Sequence, residues 1–426
     1  MAFGPEELQR RRQERQQRQQ QRQQQARQQQ VMVKRLAIAG AVLVGVAILL
    51  FALSFASSGG ESAPAQTEPT YATYETEPQG KETVIRFTAV GDLNVTDKVV
   101  DAGGPGLDFT NLFSDVMPLL ADGDLTVVNL EGNLMGPPYG TSTCSAPSQM
   151  MQALAVAGVD MVQLANSRTI SNGITGLNST INTVRSVGLV PLGAYATEDD
   201  AEENGGYTMW EVKGVRVAVV AFTKGMDNMA LPTGSEKCVN LLYNDYSSKY
   251  VDVNTEGITD ILERVSKEEP DVTVAMVHWG SEFNDTHSKS QLEIRDLLLQ
   301  NGVDVIIGSH PHYVQEIEFN ASKGTLVAYS LGDFAGDGER MGTEYGIVLN
   351  VEITKNNETG ATKVTGFHYE PIFITEGKDG LLRILRLDAA IGGYESDFLD
   401  KVSPEVYESM KNARERIEAR VAPKED

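Results

Sequence analysis

The sequence predicts an α/β domain with a mixed or parallel sheet, carried behind a single transmembrane helix. Three observations point there: short apolar runs of strand length alternate with helix-like stretches between residues 82 and 400, an uncharged run of 21 residues precedes them, and the composition changes sharply near residue 80. No repeat at fixed spacing runs through the chain.

Residues 8 to 30 are almost wholly Gln and Arg, with no apolar face to bury, so the segment 1–35 reads as a solvated cytoplasmic tail. Lys34 and Arg35 then lead into Leu36–Ala56. As a helix rising about 1.5 Å per residue, this uncharged run would cover the roughly 30 Å of a bilayer core. A cleaved signal peptide is the competing reading. The long charged leader, and an apolar run exceeding the roughly 7 to 15 residues of a signal core, favour a retained anchor. The basic residues lie on the N-terminal side of the span, and the positive-inside rule places that side in the cytoplasm. The chain is therefore expected in the cell membrane, single-pass, with its main domain extracytoplasmic. Residues 57–81 are rich in Ser, Gly, Pro, Thr and Glu without an apolar period, the pattern of a flexible linker.

The folded domain is expected over 82–400. Thr83–Val90, Leu125–Leu130, Met161–Ala165, Val272–Val277 and Val303–Ile307 are short apolar runs of the kind found in buried strands. Gly176–Val187 and Ser288–Gln300 are helix-like, and each is followed by Gly and a β-rich run, the rhythm of βα units. Lys213-Gly214, between TMWEV and VRVAVVAF, reads as a hairpin turn, so part of the sheet is antiparallel. Residues 401–426 end the chain, with a polar helix expected from Pro404 to Ala422.

The net charge of -23 hides an asymmetry. Residues 1–35 hold nine Lys or Arg against three Glu, and the remainder 27 against 56, giving +6 and -29. A domain that acidic repels nucleic-acid backbones, so no nucleic acid is expected as a partner. The only two cysteines, Cys144 and Cys238, both fall in the extracytoplasmic part and form a disulfide candidate. Two separate core thiols are the other reading, and geometry decides between them.

Polar residues repeatedly follow the apolar runs, where loops converge beyond the carboxyl ends of strands. TAVGD ends in Asp92, VVNLE in Glu131, VQLAN in Asn166, VAMVH in His278, and IIGSHPH holds His310 and His312. Two carboxylates, three imidazoles and an amide oxygen are the ligand types of a dinuclear site for divalent ions such as Mn, Fe or Zn. Singly each has a plainer role: Asp92 and Asn166 as caps, a His as a satisfied polar residue. His287 and His368 fall outside the set, and His287 reads as a surface residue.

AVGDLNV, LTVVNLEGNL, GVDMVQLANSRTISNGITGLNSTINTVRSVGLVPLGA, VAMVHWGSEF, GVDVIIGSHPHYVQEIE and LVAYSLGDF occur in the order of the CapA family of poly-γ-glutamate capsule synthesis proteins. The sequence resembles that family over roughly residues 83 to 375. The resemblance implies a four-layer α/β/β/α sandwich like that of calcineurin-type metallophosphatases. It also implies a metal centre at Asp92, Glu131, Asn166, His278, His310 and His312, with catalytic positions at Asn166 and Arg168. Arg168, Trp279 and Asp333 are the substrate-binding candidates. Anchored members are associated with making or exporting poly-γ-glutamate or another capsule polymer. The partners implied are the lipid bilayer, an anionic surface polymer and capsule synthase or exporter subunits.

The sequence departs from the family pattern at four places. Asn166-Ser167-Arg168 stands where Asn-Asn-His is usual, so the imidazole that would act as general acid becomes a permanent cation. Such a cation can grip a carboxylate or phosphate oxygen, or simply sit at the surface. Asp333 stands for the usual Asn, Asn94 for the His of true metallophosphatases, and Ser309 for a frequent His. Two readings follow: a polymer-handling subunit in synthesis, export or anchoring, or a metal-dependent hydrolase of phosphate, ester or amide bonds at the cell surface.

Overall fold

The computed structural model describes residues 80–377, 379–396 and 402–421. The expected tail, membrane span and nearly all of the linker lie outside these residues. Among the described residues no helix is long and apolar enough to cross a membrane.

Among the described residues fourteen strands form two sheets. The chain first lays down β1 (Glu82–Asn94), β2 (Leu125–Glu131), β3 (Met161–Gln163) and β4 (Val190–Leu192). It then builds a second sheet from β5 (Tyr207–Val212), β6 (Val215–Thr223), β7 (Val272–His278), β8 (Val305–Ser309), β9 (Ile317–Asn320) and β10 (Thr325–Ala328). Finally β11 (Asp333–Ala335), β12 (Tyr345–Asn356), β13 (Thr362–Glu376) and β14 (Leu382–Arg386) return to the first sheet. Its order is β14-β13-β12-β1-β2-β3-β4 with β11 also on β1, and the second sheet runs β5-β6-β7-β8-β10-β9.

The strand period of two explains the layering. On β6, Val215, Val217, Val219 and Ala221 join the core shared with the first sheet, while Ala218, Val220 and Phe222 join a second core. That second core is closed by Ile258, Ile261, Leu262 and Val265 of helix Thr255–Lys267 and by Ile294 and Leu298 of helix Lys289–Gln300. Helices Ser148–Ala157 and Gly173–Ser186 add Met150, Leu154, Leu177 and Ile181 to the first core. The architecture is a mixed α/β sandwich with two sheets between helices.

The expected hairpin and helices appear in place. Lys213 and Gly214 both take positive φ, 53° and 74°, as a two-residue hairpin turn between β5 and β6 requires. Ser288 and Gln291 form a reciprocal capping box at the start of helix Lys289–Gln300. The last helix spans Pro404–Val421, and Met410, Ala413, Ile417 and Val421 bury one stripe of it against the first core.

The expected disulfide is not formed: Cys144 and Cys238 are both free thiols. They belong to separate loops, each fixed by its own backbone bonds. The Cys144 carbonyl accepts from Asn133 N at 2.7 Å, and the Cys238 carbonyl from Tyr195 N at 2.8 Å. Cys238 is a buried thiol, and burial raises its pKa.

Candidate metal centre

The site forms where parallel strands of both sheets end together. In the first sheet Asp92 stands opposite Asn129 of β2 on one side and Asp333 of β11 on the other. In the second, His278 of β7 stands opposite Ser309 of β8. Close approach of β11 needs Gly91, where an added Cβ would lie 1.8 Å from the Gly332 carbonyl oxygen. His310 and His312 are delivered by the turn after β8 with φ of 93° and 58°. For side-chain-bearing residues such angles are costly, on the order of 1 to 3 kcal/mol each, and cluster at functional sites.

Two ligand groups result, each with atoms within 4.8 Å of one another: Asp92, His312 and Asp333, and beside them Glu131, His278 and His310. All six residues are buried. Glu282, exposed, makes a third set with His310 and His312.

The first group compensates its own charge. His312 Nδ1 lies 2.8 Å from Asp333 Oδ1 and 3.5 Å from Asp92 Oδ2. Asp92 also accepts from Asn129 Nδ2 at 2.6 Å and from the His310 backbone N–H at 3.0 Å. Burial alone would lower the His312 pKa, but Asp333, Glu131 and Asp92 outweigh it and hold it well above its ordinary value. Burial pushes the Asp333 carboxyl up to about 6, against the pull of His312, and raises Asp92 as well.

The second group is left open. Glu131 Oε1 is buried without a hydrogen-bond partner, with His278 Nδ1 at 3.5 Å. Burial, with the Asp92 charge beside it, pushes the Glu131 carboxyl up to about 8. Burial, together with neighbouring cationic groups, holds His278 and His310 well below the ordinary imidazole value, so both are neutral. An orphaned buried carboxylate oxygen beside two neutral imidazoles fits a divalent cation, which would reverse the cost of burying that charge.

Asn166 is at the hub, but its amide is largely committed to structure. Its Nδ2 donates to Asn129 Oδ1 at 2.9 Å and to Leu130 O at 2.7 Å, while its Oδ1 accepts the Arg168 backbone N–H at 2.9 Å. One lone pair on that oxygen remains for an ion. The Arg168 side chain turns to the mouth of the site and forms an ion pair with Asp227.

Trp279 does not line the site, which corrects the expectation that it contacts substrate. Side chains alternate along β7, so the residue after His278 faces the second core, where Trp279 is buried, stacks on Tyr329 and donates to the Tyr329 carbonyl at 2.9 Å. His287 also differs from a plain surface residue: it is half-buried, paired with Glu316 and stacked on Tyr329.

Three further residues belong to the site. Asn129 links Asp92 to Asn166, and its signal was a polar residue two positions before Glu131, hence on the same strand face. Ser167 donates its backbone N–H to His278 Nε2 at 3.1 Å, and its Oγ lies 3.0 Å from the same nitrogen. Lys224 brings its Nζ within 3.1 Å of His310 Nε2. Nothing local in the sequence marks Ser167 or Lys224, because their partners are more than 80 residues away.

The bacterial capsule synthesis protein family, PGA_cap, matches residues 86–338, more than half of the 426. The chain belongs to this family. It is 26% identical over 349 residues to the capsule biosynthesis protein CapA of Bacillus anthracis, covering 79% of this chain and 80% of that one. It is 24% identical over 300 residues to the PGA biosynthesis protein CapA of Bacillus subtilis strain 168, covering 66% and 71% respectively. Among solved structures it is similar to a novel phosphatase from Mycoplasma pneumoniae, with a TM-score of 0.42, 16% identity, and coverage of 68% of this chain and 94% of that one. Every residue of both ligand groups falls inside the family match, while β12, β13 and β14 lie beyond it.

Proposed function

We propose that this capsule-synthesis family member is a membrane-anchored, extracytoplasmic protein that takes part in the synthesis, export or anchoring of an anionic capsular polymer such as poly-γ-glutamate. The anchor reading is supported by Lys34 and Arg35 ahead of the uncharged run Leu36–Ala56, and by the +6 leader. In this reading the partners are the bilayer, the polymer, and capsule synthase or exporter subunits, and the acidic domain does not bind nucleic acid.

The single observation that carries a chemical role is the orphaned Glu131 Oε1 beside neutral His278 and His310. Asp92, His312 and Asp333 would hold one divalent ion, and Glu131, His278 and His310 a second, with Mn, Fe or Zn fitting this donor set. Such ions supply Lewis acidity and lower the pKa of bound water. The residues around them orient the ligands: Asn129 fixes Asp92, and Ser167 holds Nε2 of His278 with its Nδ1 toward Glu131.

This same cluster supports the second reading, a metal-dependent hydrolase of phosphate, ester or amide bonds. Arg168 weighs against efficient phosphoester cleavage, since a guanidinium paired with Asp227 does not protonate a leaving oxygen. General acid catalysis typically contributes about 10² to 10⁴ in rate. The test is twofold. Deletion of the gene from its native cell is expected to lower surface polymer, with restoration by the full chain but not by a chain lacking Leu36–Ala56. Unchanged polymer after deletion would overturn the polymer reading, and rapid turnover of a generic phosphate ester by the purified chain would favour the hydrolase.

A further inference from the structure

Next to the second ligand group lies a cavity of about 240 Å³ lined mostly by residues outside both ligand groups. Its walls include Lys224, Asp227, Asn228, Tyr250, Ser281 and Glu282, with His310 where it meets the candidate centre. Most of these walls come from the long connection between β6 and helix Thr255–Lys267 and from the loop after β7.

Lys224 is the distinctive element. Its Nζ donates to the Gly280 carbonyl at 2.8 Å and lies 3.1 Å from His310 Nε2, with the Tyr250 ring centroid 4.9 Å away. Among the described residues no carboxylate lies within 4.0 Å of it to form an ion pair, unlike Arg168 at the same mouth. An ammonium has three donors, so one remains uncommitted toward a ligand. The cavity is also lined by Glu282 and Asp227, the latter held by Arg168. A dianionic phosphate entering here would meet Lys224 and the Glu282 carboxylate, the Asp227 charge being already paired with Arg168. A singly charged carboxylate carried next to an N–H donor would satisfy both signs, its oxygens toward Lys224 and its N–H toward the acidic wall.

Resting on the polymer reading above, we propose that this cavity is a carboxylate subsite: Lys224 anchors one carboxylate of an amide-linked, carboxylate-bearing chain, and Glu282 receives the neighbouring N–H. Lys224 is thus a substrate-binding residue that seats one unit of the chain beside the ligands, and the acidic wall discriminates against phosphate.

The experiment measures binding of a short γ-linked glutamate oligomer and, separately, of inorganic phosphate to the full chain in detergent micelles by calorimetry, with metal content recorded for every variant. Lys224→Met is expected to weaken oligomer binding at least tenfold while phosphate binding stays weak, and Lys224→Arg to retain part of the affinity. Glu282→Gln is expected to weaken the oligomer several-fold and to strengthen phosphate. Oligomer binding unchanged in Lys224→Met at equal metal content overturns the subsite and leaves the polymer reading standing. Phosphate bound more tightly than the oligomer by the unmodified chain overturns the carboxylate assignment. No oligomer binding by the unmodified chain overturns the polymer reading and the subsite with it.

Discussion

The two ligand groups are built from similar side chains yet solve the burial of charge in opposite ways. Asp92 and Asp333 enclose a charged His312, and Asn129 with the His310 backbone supplies further hydrogen bonds, so this group is satisfied as it stands. Glu131 has no such cation: His278 and His310 are held neutral, and one carboxylate oxygen is left without a donor. The difference teaches that buried carboxylates alone do not mark a metal site. The group that cannot balance itself is the one that gains most from an ion.

The largest expected effect follows directly. His278→Ala removes a neutral ligand from the open group and is expected to abolish its ion, whereas His312→Ala leaves that ion in place. Metal stoichiometry by elemental analysis of the two purified variants checks this, and equal losses from both would break the distinction.

The next effect is on stability and depends on pH. The Glu131 carboxyl rises from 4.5 in the unfolded chain to about 8 in the fold. Because the unfolded chain releases that proton first, the metal-free protein loses stability as pH rises from about 4.5 to about 8, and loses no more above that. His278 and His310 act the other way, costing stability below about 6.5, but a substitution at Glu131 leaves them unchanged. Glu131→Gln is therefore expected to stabilise chelator-treated protein by roughly 2 to 4 kcal/mol at pH 8 and by little at pH 4.5, read from denaturant melts. A variant less stable than the unmodified protein at pH 8 would contradict the orphaned-charge account.

Much of this site was legible in the sequence because strand ends are. The runs TAVGD, VVNLE, VAMVH and IIGSHPH announce both a buried strand and the polar residue that terminates it, and the strands place those residues at one edge. The period of two was the information that a motif-level reading of VAMVHWGSEF passed over: it turns Trp279 away from His278. The return of β11, β12, β13 and β14 to the first sheet, which sets Asp333 beside Asp92, depends on pairings more than 200 residues apart and has no local trace. Separations of 111 and 86 residues from their histidine partners likewise hide Ser167 and Lys224. The cysteines follow a compositional rule that geometry overrode, since two free thiols on separate loops satisfy the same count.

A smaller effect is expected at Asn129, which joins the satisfied group to Asn166. Asn129→Leu leaves Asp92 Oδ1 and the Asn166 amide without partners, a cost of about 1 to 3 kcal/mol, and is expected to reduce metal affinity in the first group about 10- to 100-fold. Melting and metal titration of the variant check both. The smallest belongs to Arg168, whose ion pair with Asp227 is more than a third exposed on both sides. Arg168→Ala is expected to change stability by less than about 1 kcal/mol and leave metal content unchanged. A larger loss would make Arg168 part of the site's frame.

The most direct measurement is metal content of the full chain, purified and dialysed against Mn, Fe or Zn, compared with Glu131→Gln carried through the same steps. The account predicts bound divalent ion in the unmodified protein and loss of the ion held by Glu131, His278 and His310 in the variant. No bound ion under any loading condition, or identical content in the two proteins, would contradict it.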